Sequence, residues 1–277
     1  MFIKFCTQPQ PFYQPSHKGK GTRLFTSGSG LLQFPGPARF AVTSAVGWID
    51  LDLASAHLAV AAKILQIPEL HELLASGVNV WEKMADDLNM EFTDDFKAAC
   101  KVACYSILYG AKRSYVQGQL TKALGSKADS KKLLNHPIVT DLLKRRDMVA
   151  QQIVEDGGME DYYGRKHKMA KDTDPMKRAY CYGRKHKMAK DPMKQAYSIL
   201  ALCAQAYEMK LLTPALELTK DPGSKWHIML FQHDGFTIAA RDRNRTENVV
   251  KQLQAAVNAE AEKLDIPTRL DVKKPKS

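Results

Sequence analysis

Cysteine is scarce, with five in 277 residues, too few to demand a paired framework in a chain of this length. A disulfide scaffold is excluded, and a reducing compartment is expected. Long apolar runs are missing too. The richest, Leu58 to Ile67, falls short of the ~18 residues of a membrane span and carries Lys63. The opening MFIKFCTQPQPFYQP turns to Gln and Pro too soon to read as a signal peptide. What is present is ordinary for a globular protein. Hydrophobic residues make up 44% and charged residues 26%, which excludes a disordered tail or a collagen-like fibre. The length suits one large domain or two small ones.

Acid is the minority charge. Lys plus Arg number 41 against 30 Asp plus Glu, a net of +11. The excess is local, since Tyr163 to Lys194 holds eleven Lys and Arg against three Asp, a net of +8. Such a stretch is a candidate contact for a phosphate backbone, although a charge run taken alone reads first as a solvated face. The stretch is also a repeat. YGRKHKMAKDTDPMKRAYC from Tyr163 is followed by YGRKHKMAKDPMKQAYS from Tyr182, and the first copy has the extra Thr173-Asp174. Two copies do not make a solenoid, which needs at least three. The pair reads as a local tandem duplication, and the surplus copy, residues 163–181, is expected to loop out at little entropic cost.

Periodicity outlines a chain of mixed helix and strand. Residues 1–45 are rich in Pro, Gly, Ser and Gln and read as irregular. VGWIDLDL (46–53) reads as a strand whose two-residue period sets Asp50 and Asp52 on one face. Helices are expected at 54–65, from Pro68, at 79–88, from the N-cap Thr93 to Tyr109, and at 112–124, 137–155, 193–218 and 247–264. Strands are expected at 226–230 and 236–240, around a tight His233-Asp234-Gly235 turn, and at 268–272.

Two aspartates stand where metal chemistry is feasible, Asp52 at the end of a strand and Asp234 in the turn. Carboxylates are hard ligands that suit Mg²⁺, and two ions on two Asp can activate a hydroxyl and stabilise a departing pyrophosphate. Each Asp alone is weak evidence, because HDG is a common turn composition. In the helix DFKAACKVACYSILYG, Lys97, Lys101, Tyr105 and Tyr109 recur every four residues along one drifting stripe. From Lys101 to Tyr109 the stripe runs roughly 12 Å, a length that suits a nucleoside triphosphate lying along the helix. The stripe alone reads first as an amphipathic helix with core tyrosines and a snorkelling lysine, because aromatic stripes are usually core. Cys100 and Cys104 read as small core residues, and His167 and His186 as phosphate-proximal or solvated.

Taken together, these segments resemble family A DNA polymerases, the bacterial polymerase I family. Lys101 with Tyr109-Gly110 resembles motif B, DLASAHLAV from Asp52 motif A, and QHDGF around Asp234 motif C. Gly21-Thr22-Arg23-Leu24 with Leu32-Gln33 is similar to the family's TGRL…LQ segment, Gly157 to His167 to its turn and basic segment, and LDIPTRLDV to its closing strand. The motifs occur in order over residues 21–277.

The resemblance implies an α+β fold. An antiparallel palm would be built from 1–65 and 193–277, with a mainly helical fingers insertion over 66–192 and a thumb reduced or absent. It implies Mg-dependent transfer from a dNTP to a primer 3′-hydroxyl, without a proofreading exonuclease. Asp52 and Asp234 would hold two Mg²⁺ ions shared with the dNTP. Lys101 and Lys97 would face the triphosphate, Tyr105 the sugar pocket and Tyr109 the templating base, with His57 in the place of the family's sugar-selecting glutamate. Arg23 and Gln33 would touch the primer-template minor groove, Arg165 or its duplicate Arg184 would hold backbone phosphate, and His233 would also contact DNA. The expected partners are primer-template DNA and dNTP, with a possible separate thumb or exonuclease subunit. The expected state is a monomer without membrane attachment, cytoplasmic in a bacterial or phage-infected cell. Motif C departs from the family's HDE, because Gly235 follows Asp234. Single-subunit RNA polymerases share that departure and are one rival. A non-catalytic basic DNA-binding remnant is the other.

Overall fold

The computed structural model describes residues 12–15, 24–27, 30–169, 191–232, 234–240, 242 and 246–273. The chain forms two compact units, Met1–Ala56 with Gln205–Ser277, and His57–Ala204. The divisions expected from the sequence are 65/66 and 192/193.

The first unit opens with β1 (Phe12–Pro15) paired antiparallel to β2 (Leu24–Ser27), then α1 (Gly36–Ala45) and β3 (Ile49–Leu53). It resumes within a long helix and continues through β6 (Trp226–Phe231), β7 (Gly235–Ala240), α10 (Thr246–Lys263) and β8 (Leu270–Val272). Its main sheet is antiparallel in the order β6-β7-β3-β8. Alternation along IDLDL buries Leu51 and Leu53 on one face, with Phe236, Ile238 and Leu270 from the neighbouring strands. Edge strand β8 is tied to α10, where Gln254 donates to the Leu270 carbonyl at 2.9 Å and the Leu270 N–H donates to Asn258 at 2.8 Å.

Helix α1 falls where an irregular segment is expected. Its prolines lie at the N-terminal end, where no intrahelical N–H bond is forfeited. The helix ends at Ala45, and just beyond it Gly47 takes φ 75 as Trp48 N–H reaches back to the Thr43 carbonyl at 2.8 Å. That turn is why β3 starts at Ile49 and not at Val46.

The second unit is helical. It runs through α2 (Ala56–Ile64), α3 (Pro68–Ala75), α4 (Val80–Asp87), α5 (Asp94–Leu108), α6 (Arg113–Leu124), α7 (Lys127–Leu134) and α8 (Pro137–Glu155). A small hairpin follows, β4 (Gly158–Glu160) with β5 (Lys166–Lys168), then the first half of α9 (Pro192–Leu218). One continuous apolar core joins Leu58, Met84, Phe96, Ile107, Leu120, Leu142 and Ile199. Asn79 caps α4 by accepting from Trp81 N–H, and Thr93 caps α5 by accepting from Phe96 N–H at 3.1 Å, each cap contributing about 1 kcal/mol. Helix α7, short and charged, has no counterpart among the expected helices; Ser126 starts it by accepting from Asp129 N–H at 3.2 Å. The chain is thus α+β, with its main sheet antiparallel and its helices largely gathered in a separate unit.

Candidate functional site

In the sheet unit, β3 carries two aspartates on one face, and their surroundings differ. Asp50 is buried at 5% exposure and accepts a short hydrogen bond from the hydroxyl of its cross-strand partner Thr237. Asp52 is half-buried. Its cross-strand neighbours are Gly235 on β7 and Asp271 on β8, and Lys273 Nζ lies 3.5 Å from its Oδ2.

Asp234 is the residue before Gly235, in the connection of the β6–β7 hairpin. Gln232 N–H donates to the Gly235 carbonyl at 2.8 Å, closing the turn, and the Asp234 carbonyl accepts from Leu53 N–H at 2.8 Å. The backbones carrying Asp52 and Asp234 are therefore neighbours across one strand pair. Gly235 is required by proximity, since a Cβ there would stand 2.2 Å from the Leu51 carbonyl oxygen and 2.9 Å from Asp52 Oδ1. No side chain fits at the position that follows Asp234. Among the described residues, no group of three or more His, Cys, Asp or Glu is placed to hold a metal ion.

In the helical unit, His57, Tyr105 and Tyr109 form one cluster. The His57 ring stacks on Tyr105 at 4.6 Å, and its Nε2 lies 3.1 Å from the Tyr109 hydroxyl. Trp81 meets Tyr105 edge-on at 6.4 Å. Tyr105 is half-buried, Tyr109 and Lys101 are exposed, and Lys97 is intermediate. An adjoining face of α5 buries Cys100 and Cys104, and burial pushes the Cys100 thiol up to about 12 and the Cys104 thiol higher still. These thiols are core residues, as expected.

The C-terminal end of α5 is held by residues that carry no signal in the sequence. Arg146, buried at 4% exposure, donates from Nη1 to the carbonyls of Ile107 and Ala111, both at 2.9 Å. Its guanidinium lies 4.6 Å over the Tyr197 ring. Asp147 accepts from Arg146 Nη2 at 2.6 Å and from the Tyr197 hydroxyl at 2.8 Å. Burial, and then the bond to Asp147, raise the Tyr197 hydroxyl above its ordinary range. Gly110, at φ 82, packs so close to Tyr197 that a Cβ would stand 2.7 Å from the tyrosine Cβ.

The β4–β5 hairpin is organised by Asp161, whose side chain is fully enclosed. It accepts from Tyr163 N–H at 2.9 Å, Arg165 Nε at 2.9 Å and His167 Nε2 at 2.8 Å. This corrects the expectation for His167, which is neither solvated nor turned to an outside phosphate but bonded to a buried carboxylate. Arg165 is engaged by the same carboxylate and stacks over Tyr163 at 5.5 Å, with 36% of its side chain exposed. Lys166 and Lys168 are exposed on β5. Gln33 is exposed at the end of a short 3₁₀ turn, Leu31–Gln33. Arg23, Arg184 and His233 lie outside the described residues.

Comparison with solved structures finds a likeness of fold to the POL domain of Pol1 from M. smegmatis, in complex with DNA primer-template and dNTP. The TM-score is 0.67 at 16% identity, and the match covers 95% of this chain and 46% of that one. The chain thus spans less than half the length of that structure. No protein-family model matches the sequence, and no curated protein does. Among the described residues no helix is long and apolar enough to cross a membrane.

Proposed function

We propose that this chain is a template-directed DNA polymerase, transferring nucleotides from dNTPs to a primer 3′-hydroxyl. The observation that carries the reading is the strand register that sets Asp52 opposite Gly235, with Asp234 next in the hairpin, in a fold similar to a polymerase domain. The sheet unit is read as the palm and the helical unit as the fingers.

The donor set fits magnesium. Mg²⁺ takes one or two carboxylates and completes its shell with water and substrate phosphate. The glycine at 235 does not crowd Asp52, whereas any Cβ there would stand 2.9 Å from Oδ1. Asp52 and Asp234 are the residues that would hold the ions. When bound, the ions supply positive charge for the attacking hydroxyl and the leaving pyrophosphate.

The other roles belong to side chains. Lys101 and Lys97, one helical turn apart, offer fixed positive charge to a triphosphate. Tyr105 offers its ring to the sugar and Tyr109 to the templating base. His57, braced by both tyrosines, stands as a bulky neighbour to the sugar 2′ position. Gln33 and the hairpin residues Arg165, Lys166 and Lys168 are read as DNA contacts. Catalysis in this reading is positioning plus charge stabilisation.

Primer extension tests it. Asp52→Asn and Asp234→Asn are each expected to abolish Mg²⁺-dependent extension while keeping the melting temperature and DNA binding near wild type. Near-normal extension by either variant overturns the assignment. Gly235 favours a second reading, a single-subunit RNA polymerase, which the same assay decides by the preference for rNTP over dNTP.

A further inference from the structure

Strand β8 brings a cation to Asp52. Its register sets Asp271 directly opposite Asp52, so the two lie on one face of the sheet, and Lys273, two residues on, shares that face. Lys273 N–H donates to the Asp50 carbonyl at 2.8 Å, which extends the pairing past the end of β8 and fixes the root of the side chain. The ammonium then reaches Asp52 Oδ2 at 3.5 Å, while Asp271 is engaged by Arg269 Nε at 3.1 Å. The two oxygens of Asp52 therefore meet different neighbours. Oδ1 borders the bare Gly235 at the Asp234 hairpin, and Oδ2 borders Lys273.

We propose that Lys273 is a positioning residue that competes with a divalent cation for Asp52 through its contact with Oδ2. The inference rests on the reading of Asp52 as a metal ligand. An ammonium is a compact, strongly hydrated point charge on a flexible stem. A divalent ion arriving at Asp52 meets that charge and must share the carboxylate with it. The side chains are 41% and 35% exposed, so the effect is modest, about two- to fivefold in metal affinity.

The test is direct Mn²⁺ binding to the full chain, without nucleotide or DNA, followed by electron paramagnetic resonance at low ionic strength. Lys273→Met and Lys273→Gln are expected to bind Mn²⁺ about two- to fivefold more tightly than wild type. Lys273→Arg, which keeps the charge, is expected to match wild type, and Asp52→Asn to bind more weakly. Melting curves accompany each variant, and the exposed position of Lys273 predicts little change in them. If both neutral variants bind Mn²⁺ no more tightly than wild type while Asp52→Asn weakens it, the role of Lys273 is overturned and Asp52 stands as a ligand. If Asp52→Asn leaves Mn²⁺ binding unchanged, the metal reading of Asp52 falls, and this inference falls with it.

Discussion

Asp50 and Asp52 differ by one strand period, yet one is enclosed with a threonine and the other is half-buried beside Lys273. Asp50→Ala would leave the Thr237 hydroxyl buried without its acceptor, at a cost of about 1–3 kcal/mol. Asp52→Asn should shift stability by less than about 0.5 kcal/mol. Urea unfolding of the two variants checks the contrast. Gly235→Ala is expected to be worse than either, because its Cβ meets the Leu51 carbonyl oxygen at 2.2 Å and backbone cannot swing aside as a side-chain tip can. The same clash bars Gly235→Glu from restoring a second carboxylate, and a large fall in melting temperature for both variants would show it. His57→Ala removes a ring stack worth roughly 0.5–1.5 kcal/mol and, in the proposed reading, raises ribonucleotide incorporation, measured as the rNTP/dNTP ratio. The two-residue period suffices to place both aspartates on one face. It cannot say which is buried, because the answer depends on Thr237, 187 positions away in sequence.

At the scale of the element, α5 is legible at its start and illegible at its end. Thr93 with Asp94 and Asp95 marks the N-terminus by local chemistry alone. The other end depends on Arg146, which reaches carbonyls 39 and 35 residues away. No local pattern encodes that contact, and an Arg-Arg-Asp run on a helix reads as a solvated face. Arg146→Met should cost about 2–5 kcal/mol by leaving two carbonyls without their donor. Lys should rescue little, because one ammonium cannot reproduce the planar fork; denaturant midpoints measure both variants. The β4–β5 hairpin predicts an acid response. Burial opposes ionisation of Asp161, but hydrogen bonds from His167 and from the Arg165 and Tyr163 N–H groups outweigh it and hold the carboxyl below its ordinary value of 3.8. The folded pKa lies below the unfolded one, so the stabilisation is complete above the unfolded value and disappears as pH falls through the folded one. Asp161→Asn should flatten the dependence of melting temperature on pH in that acid range.

At the scale of the whole molecule, the duplicated segment makes a sharper prediction than its charge does. The first copy supplies the hairpin, with Tyr163, Arg165 and His167 gathered on Asp161. Deleting 163–181 joins Tyr162 to Tyr182, and the incoming YGRKHKM repeats the removed residues in register. The variant should therefore keep its melting temperature, with Arg184 and His186 taking the places of Arg165 and His167. If the deleted lysines and arginines touch phosphate, the log–log salt slope of DNA binding should also fall by about 0.9 for each phosphate no longer neutralised. A collapse in melting temperature would show that the two copies are not interchangeable. The fold class is legible because strand and helix periods are local signals. The unit boundaries are not, because they are set by packing between distant segments.

One of those boundaries, between Ala204 and Gln205, falls inside α9, a helix unbroken from Pro192 to Leu218. A protease needs an extended stretch of backbone to enter its cleft, and a helix interior does not offer one. Limited digestion should therefore fail to release the two units at this crossing, whatever it does elsewhere. An expressed fragment ending at Ala204 would sever the helix in mid-course and leave carbonyls of its last turn without their helical donors. For anyone dissecting the protein by truncation, the useful cut lies beyond Leu218, so the helical unit should be carried with the whole of that helix.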